Sequence, residues 1–210
     1  MTTSISLAEQ PWGATPATAM NQSSDPRILY TLGMEGVSLA LWTGGLSENL
    51  ASTLDTLPAS RLPEMRQSLQ LDQVSTAVHA TCIEAGAEIC ADTLADYITD
   101  IAQRASAVFD TPFLNIRLDV TRDQPCPKWH LDAVPARLLC TLRGPGTEFG
   151  PIGQGDAPQS IHRMTRGAVG IFRGALWPAR QPAGILHRSP PCHDTRLLLV
   201  IDPVWHEKGN

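Results

Sequence analysis

No apolar run in this chain approaches the roughly 18 residues that a bilayer-spanning helix requires, so no membrane segment is expected. The first 26 residues have neither a basic start nor an apolar signal core, and nothing in them marks the chain for export. They read as a flexible lead-in, residues 1–26. No CxxC pair occurs among Cys82, Cys90, Cys126, Cys140 and Cys192, which are odd in number and scattered. A disulfide scaffold and a zinc ribbon are both disfavoured, and a reducing cytoplasm is the expected location. Internal repeats are absent, and no basic cluster is interleaved with aromatics, so nucleic-acid binding is not expected either.

What remains is ordinary globular composition, 42% hydrophobic and 18% charged over 210 residues. That length favours one core, taken here as a single domain over residues 27–210. Charge is unevenly shared. Residues 1–116 hold 4 Lys/Arg against 13 Asp/Glu, whereas residues 117–197 hold 11 against 6, ten of the eleven being arginines. An Arg-rich lobe suits carboxylate or phosphate groups, because guanidinium presents a fixed fork of donors. An acidic helical layer laid against a basic sheet would give the same tally.

Texture changes along the chain. A strand is expected at Val37–Trp42, stopped by Gly44-Gly45, followed by helices mainly within residues 46–109. Helical spacing covers Leu46–Leu57 and Gln73–Ala85. It is clearest from Thr93 to Phe109, where Asp92 is a candidate N-cap and Leu94, Ile98, Ile101, Ala102, Ala105 and Val108 form one apolar face. From Pro112 onward short β-like runs alternate with Gly and Pro. Strands are expected near Phe113–Val120, Ala136–Leu142, Thr147–Phe149, Ala168–Phe172, Gly184–His187 and Arg196–Ile201. Such runs at close spacing suggest a sandwich or barrel. Gly144-Pro145-Gly146 reads as a tight turn rather than a phosphate cradle.

Within this β-rich half lies Pro127-Lys128-Trp129-His130-Leu131-Asp132. Strand side chains have period two, so His130 and Asp132 project to one side and can share a metal. His187, 57 residues later, is the natural third ligand. Two His and one carboxylate on one face of an ion form the facial triad of non-haem Fe(II) oxygenases. Nine residues further on, Arg196 opens an apolar run and offers a bidentate partner for a co-substrate carboxylate.

The order His-x-Asp, Gly146–Phe149, Gly167–Phe172, His187 and Arg196 resembles the 2-oxoglutarate/Fe(II) dioxygenase superfamily. More narrowly, HLDAVPARLLCTLRGPGTEF and ILHRSPP…RLLLVID resemble an uncharacterised bacterial family catalogued as domain of unknown function 1826, over most of the chain beyond about residue 28. The resemblance implies an α+β fold: a double-stranded β-helix of the jelly-roll, cupin-like type with an N-terminal helical layer. It implies an Fe(II)- and 2-oxoglutarate-dependent hydroxylase acting on a small molecule or a protein. His130, Asp132 and His187 would hold the metal, and Arg196 the co-substrate. Members of the narrower family often lie beside zinc-handling GTPases, which points to metal homeostasis. One departure is Leu198, where many dioxygenases carry Ser as a second co-substrate contact; Arg137, Arg143 or Ser189 could take that part.

Other readings stay open at this level. Cys126, His130, His187 and Cys192 could form a closed zinc site, making the chain a metal-binding protein without oxygenase activity. Arg196 could instead pair with Asp194 or Asp202 at the surface. A third possibility is a metal-free scaffold that binds a partner.

Overall fold

Alternation of apolar and polar residues in the C-terminal half sets the architecture of the chain. The computed structural model describes residues 4–5, 15–155, 157–192 and 194–204. Its strands are β1 (Ser4–Ile5), β2 (Ala19–Ser23), β3 (Val37–Trp42), β4 (Met65–Gln70), β5 (Phe113–Thr121) and β6 (Leu131–Asp132). They continue as β7 (Ala136–Arg143), β8 (Glu148–Pro151), β9 (His162–Arg163), β10 (Val169–Arg173), β11 (Ile185–Arg188) and β12 (Arg196–Pro203). The α-helices are α1 (Glu48–Thr56), α2 (Val74–Ala85) and α3 (Ala91–Phe109). Among the described residues no helix is long and apolar enough to cross a membrane.

A seven-stranded sheet runs in the order β2-β3-β10-β7-β12-β5-β4, and a three-stranded sheet in the order β11-β8-β9. Period-two geometry gives each central strand two different faces. On β7, Ala136, Leu138, Cys140 and Leu142 join Leu197, Leu199 and Ile201 of β12 and Leu114, Ile116 and Leu118 of β5 in the main core. The helices supply the other half of that core. Leu94, Ile98, Ile101, Ala105 and Phe109 of α3 are buried there, as the spacing predicts. Truncating Leu94, Ile98 or Ile101 to Ala would cost about 2–5 kcal/mol.

The opposite face of the large sheet is built differently. Leu39, Leu41, Leu139, Phe172 and Val200 pack against Phe149 and Ile185 of the small sheet, forming a second, smaller core. Beyond it the same face turns polar: Arg137 and Thr141 on β7, Arg196 and Asp202 on β12, and Arg117 and Asp119 on β5. That polar half of the face carries the site.

Several boundaries differ from the sequence reading. Ala19–Ser23, inside the expected lead-in, is an edge strand parallel to β3; most of the earlier residues of that segment lie outside the described ones. β4 is not among the expected strands. It has weak alternation because it is an edge strand with one buried and several exposed positions. Asp92 is not an N-cap. A 3₁₀ turn at Glu88–Cys90 runs directly into α3, which begins at Ala91 without a side-chain cap. The i→i+3 bonds of such a turn occupy N–H groups that a cap would otherwise serve.

Candidate metal centre

His130 and His187 are held together by their backbones. His130 N–H donates to the His187 carbonyl and His187 N–H to the His130 carbonyl, each at 3.1 Å. This antiparallel bridge sets the two imidazoles 4.6 Å apart, centroid to centroid. Asp132 follows on β6, on the same side as His130. Its carbonyl accepts from Ala175 N–H at 2.8 Å. Gly174 makes that close approach possible: a Cβ there would lie 1.8 Å from the Val134 carbonyl oxygen.

The ligand atoms of His130, Asp132 and His187 lie within 4.8 Å of one another. Asp132 Oδ2 stands 3.0 Å from His187 Nε2, and Oδ1 stands 3.8 Å from His130 Nε2. His130 Nδ1–H donates to the Lys128 carbonyl at 2.9 Å. That bond fixes the tautomer and leaves the Nε2 lone pair facing the aspartate, as outer partners of metal-ligating histidines do.

Three observations test whether a cation fits here. Asp132 Oδ2 is buried and, among the described residues, has no hydrogen-bond partner. Burial lowers the affinity of His130 for a proton, with His187 adding to the effect, so the ring is held in the neutral form that ligates metals. For Asp132 burial opposes ionisation, but His187, Arg137 and His130 outweigh it and keep the carboxyl far below its ordinary range. The charge count agrees. Asp132 and Asp202 are both buried with Arg137 as the one guanidinium between them, so the cluster has a negative charge that a cation would balance.

Sequence reasoning had Arg137 as a co-substrate contact. The structure commits it elsewhere. Its Nε and Nη2 form a fork on Asp202 at 2.7 and 2.6 Å, and its Nη1 donates to Asp132 Oδ1. Arg137 thus steadies the aspartate of the triad. Asp202, which the sequence offered only as a surface partner for Arg196, is the missed residue. Its signal was faint: an acidic residue at the far end of an apolar strand.

Arg196 is 2% exposed and pairs with neither Asp194 nor Asp202. Nε–H donates to the Pro145 carbonyl at 3.0 Å, and Nη2 donates to Thr141 Oγ1 at 3.1 Å and Thr147 Oγ1 at 2.9 Å. These acceptors are neutral, so the charge has no anionic hydrogen-bond partner among the described residues. Burial pushes the Arg196 pKa down to about 10, and the group remains a cation at neutral pH. It lines a cavity of about 270 Å³ together with His130, His187, Ser189 and Leu198.

The remaining candidates fall on either side. Ser189 is in the cavity wall, its N–H donating to the Cys126 carbonyl at 2.9 Å. Arg143 is not at the site; it donates to the Leu54 and Leu57 carbonyls at the end of α1, at 3.1 and 2.7 Å. The closed Cys126/His130/His187/Cys192 arrangement does not form. Asp132 completes the cluster in place of either cysteine, and Cys192 Sγ–H donates to the Asp194 carbonyl at 2.8 Å.

Comparison with known proteins adds three kinds of finding. No curated protein matches the chain. Among solved structures it is similar to a dioxygenase for auxin oxidation from Arabidopsis thaliana in its 2-oxoglutarate complex, with TM-score 0.49, 12% identity, and 93% of this chain and 94% of that chain covered. It is also similar to a Pseudomonas putida prolyl-4-hydroxylase, with TM-score 0.44, 14% identity, and 84% and 96% of the two chains covered. The model of the family described as "Protein of unknown function (DUF1826)" matches residues 23–202. The chain belongs to that family.

Proposed function

We propose that the protein is a non-haem Fe(II)- and 2-oxoglutarate-dependent oxygenase built on a double-stranded β-helix. In this reading His130, Asp132 and His187 hold the metal and Arg196 anchors the distal carboxylate of 2-oxoglutarate. The observation that carries it is the meeting of a two-His, one-carboxylate cluster with a buried, anion-free arginine at one cavity. A facial triad leaves positions open on the far side of the ion. When bound, Fe(II) would supply oxygen activation coupled to the oxidative decarboxylation of 2-oxoglutarate to succinate, and with it oxidation of a C–H bond.

The rest is work for the chain's own residues. Arg137 orients Asp132 and keeps it ionised. Thr141, Thr147 and the Pro145 carbonyl fix the Arg196 fork so that its remaining donors can meet a carboxylate. Leu139, Leu198 and Val200 give the cavity an apolar wall. With Leu198 where a hydroxyl would help, Ser189 is the wall residue best suited to a second co-substrate contact. The five cysteines are free thiols, which supports a reducing, cytoplasmic setting.

The test is uncoupled turnover. Protein purified without oxygen is given Fe(II), 2-oxoglutarate and then air, and succinate is measured for wild type, Asp132→Ala and Arg196→Ala. Succinate formation that needs Fe(II), Asp132 and Arg196 is the expected result. A metal-binding protein without oxygenase activity would keep the metal through Asp132 yet form no succinate, and that outcome would replace this reading.

A further inference from the structure

Two arginines face each other across the outermost ladder of the large sheet. β4 pairs antiparallel with β5, and the register sets Arg66 directly opposite Arg117. Like charges at directly opposed positions destabilise a strand pair. Asp119 is the counter-ion they share, 3.5 Å from Arg66 Nη2 and 3.6 Å from Arg117 Nη1, so two guanidiniums meet one carboxylate. The Arg117 side chain is only 14% exposed, yet no hydrogen bond among the described residues uses its guanidinium.

Most of the surrounding arginines are already committed. Arg137 is held by Asp132 and Asp202, and Arg163 and Arg188 share Glu148. Arg143, Arg166 and Arg173 donate to main-chain carbonyls. Beside the site, Arg66 and Arg117 are left with one carboxylate, Asp119, between two guanidiniums.

Both line a second cavity of about 350 Å³. The residues lining it are all of polar type, with Arg66, Arg117 and Arg137 against the carboxylate of Asp202. The same three arginines also line the cavity of the triad, so the two spaces adjoin. The β5–β12 register gives the distance between Arg196 and Arg117. Arg196 stands opposite Thr121 and Val200 opposite Arg117, a separation of four residues or about 13 Å along the strands. Leu198 and Val200 face the space between them.

We propose that the second cavity is the binding site for a carboxylate or phosphate group on the small molecule the metal site acts on. Arg66 and Arg117 hold that anion, and Leu198 and Val200 meet a less polar part of the same molecule. Arg196 is left for a separate anion. Cavities of this size suit a metabolite-sized ligand. The anion site stands on the arginine pair itself; only the statement that its ligand is oxidised rests on the proposed oxygenase activity.

The experiment needs neither iron nor 2-oxoglutarate, so failure of the oxygenase reading leaves it intact. Inorganic phosphate and citrate are titrated into the full chain, by phosphorus NMR and calorimetry respectively. Wild type is compared with Arg66→Gln, Arg117→Gln, Arg196→Gln and Arg180→Gln, the last an exposed arginine outside both cavities. Arg66 is largely exposed, so its loss does not threaten the fold. The expected result is saturable binding of at least one anion, weakened about tenfold or more by Arg66→Gln and by Arg117→Gln and unchanged by Arg180→Gln. Preference for phosphate or for citrate then identifies the anion's chemistry. No saturable binding, equal binding by wild type and both variants, or loss with Arg196→Gln alone would overturn the proposal.

Discussion

His130 and His187 exchange both of their backbone hydrogen bonds although 57 residues separate them in sequence. The bridge ties the loop before β6 to β11 at the point where the two imidazoles converge, so the geometry of the cluster is set by main chain as well as by side chains. Because the carboxylate of Asp132 completes this pair, Asp132→Asn and His187→Ala are each expected to weaken metal binding beyond the roughly 10–100-fold that an outer partner is worth. Titration with Co(II), followed in the visible spectrum, measures it. Retention of wild-type affinity by either variant would remove that residue from the ligand set.

Arg137 is the outer partner in question. It is the guanidinium that serves two buried carboxylates, and its removal leaves both without an arginine or lysine partner among the described residues. Arg137→Gln is expected to destabilise the protein by about 3–5 kcal/mol, the usual cost of breaking a buried pair on one side. Metal affinity should fall as well, by about 10–100-fold. Urea unfolding and the same Co(II) titration read the two effects. A stability change below about 1 kcal/mol would mean that Arg137 is not the charge holding this cluster together.

How legible was this in the sequence? The meeting of His130, Asp132 and His187 was, because period two places His130 and Asp132 on one side and the downstream order His187, Arg196 narrows the choice of a third member. So were β3, β7 and β12, apolar runs buried on both faces, and α3, whose pattern follows from one buried face. Arg137 was misread because a sequence shows an arginine near a site but not which carboxylate it reaches. Asp202 became its partner through a strand register that no local pattern encodes. β4 escaped for another reason: an edge strand with most positions exposed has little apolar alternation to show.

Glu148 gives a pH test away from the metal. It lies on β8, buried, with Arg163 at 2.5 Å and Arg188 at 2.8 Å. Burial opposes its ionisation, but hydrogen bonds from the two arginines outweigh that and hold its pKa below the ordinary 4.5. A depressed folded value stabilises the protein in full above the unfolded value and stops doing so as pH falls through the folded one. The stability difference between wild type and Glu148→Gln should therefore be constant at neutral pH and shrink as pH drops below 4.5. Denaturant melts at several pH values check it. A gap that widened with acid would contradict the assigned direction.

The turn before β8 links backbone geometry to Arg196. Gly144 has φ +82°, and a Cβ on Gly146 would lie 1.9 Å from the Met164 carbonyl oxygen. Gly146→Ala must therefore push the chain outward. The displaced residues are Pro145 and Thr147, whose carbonyl and hydroxyl hold Arg196 at 3.0 and 2.9 Å. Two effects are expected together: a loss of stability of about 1–3 kcal/mol from overpacking, and weaker binding of 2-oxoglutarate through a misplaced Arg196. Thr147→Val separates them, since it deletes one hydrogen-bond acceptor and leaves the turn alone. It should weaken 2-oxoglutarate binding with a smaller loss of stability than Gly146→Ala. Calorimetric titration of 2-oxoglutarate into both variants, beside their urea melts, decides the matter. If both bind as wild type does, the position of the Arg196 fork is not what holds the co-substrate.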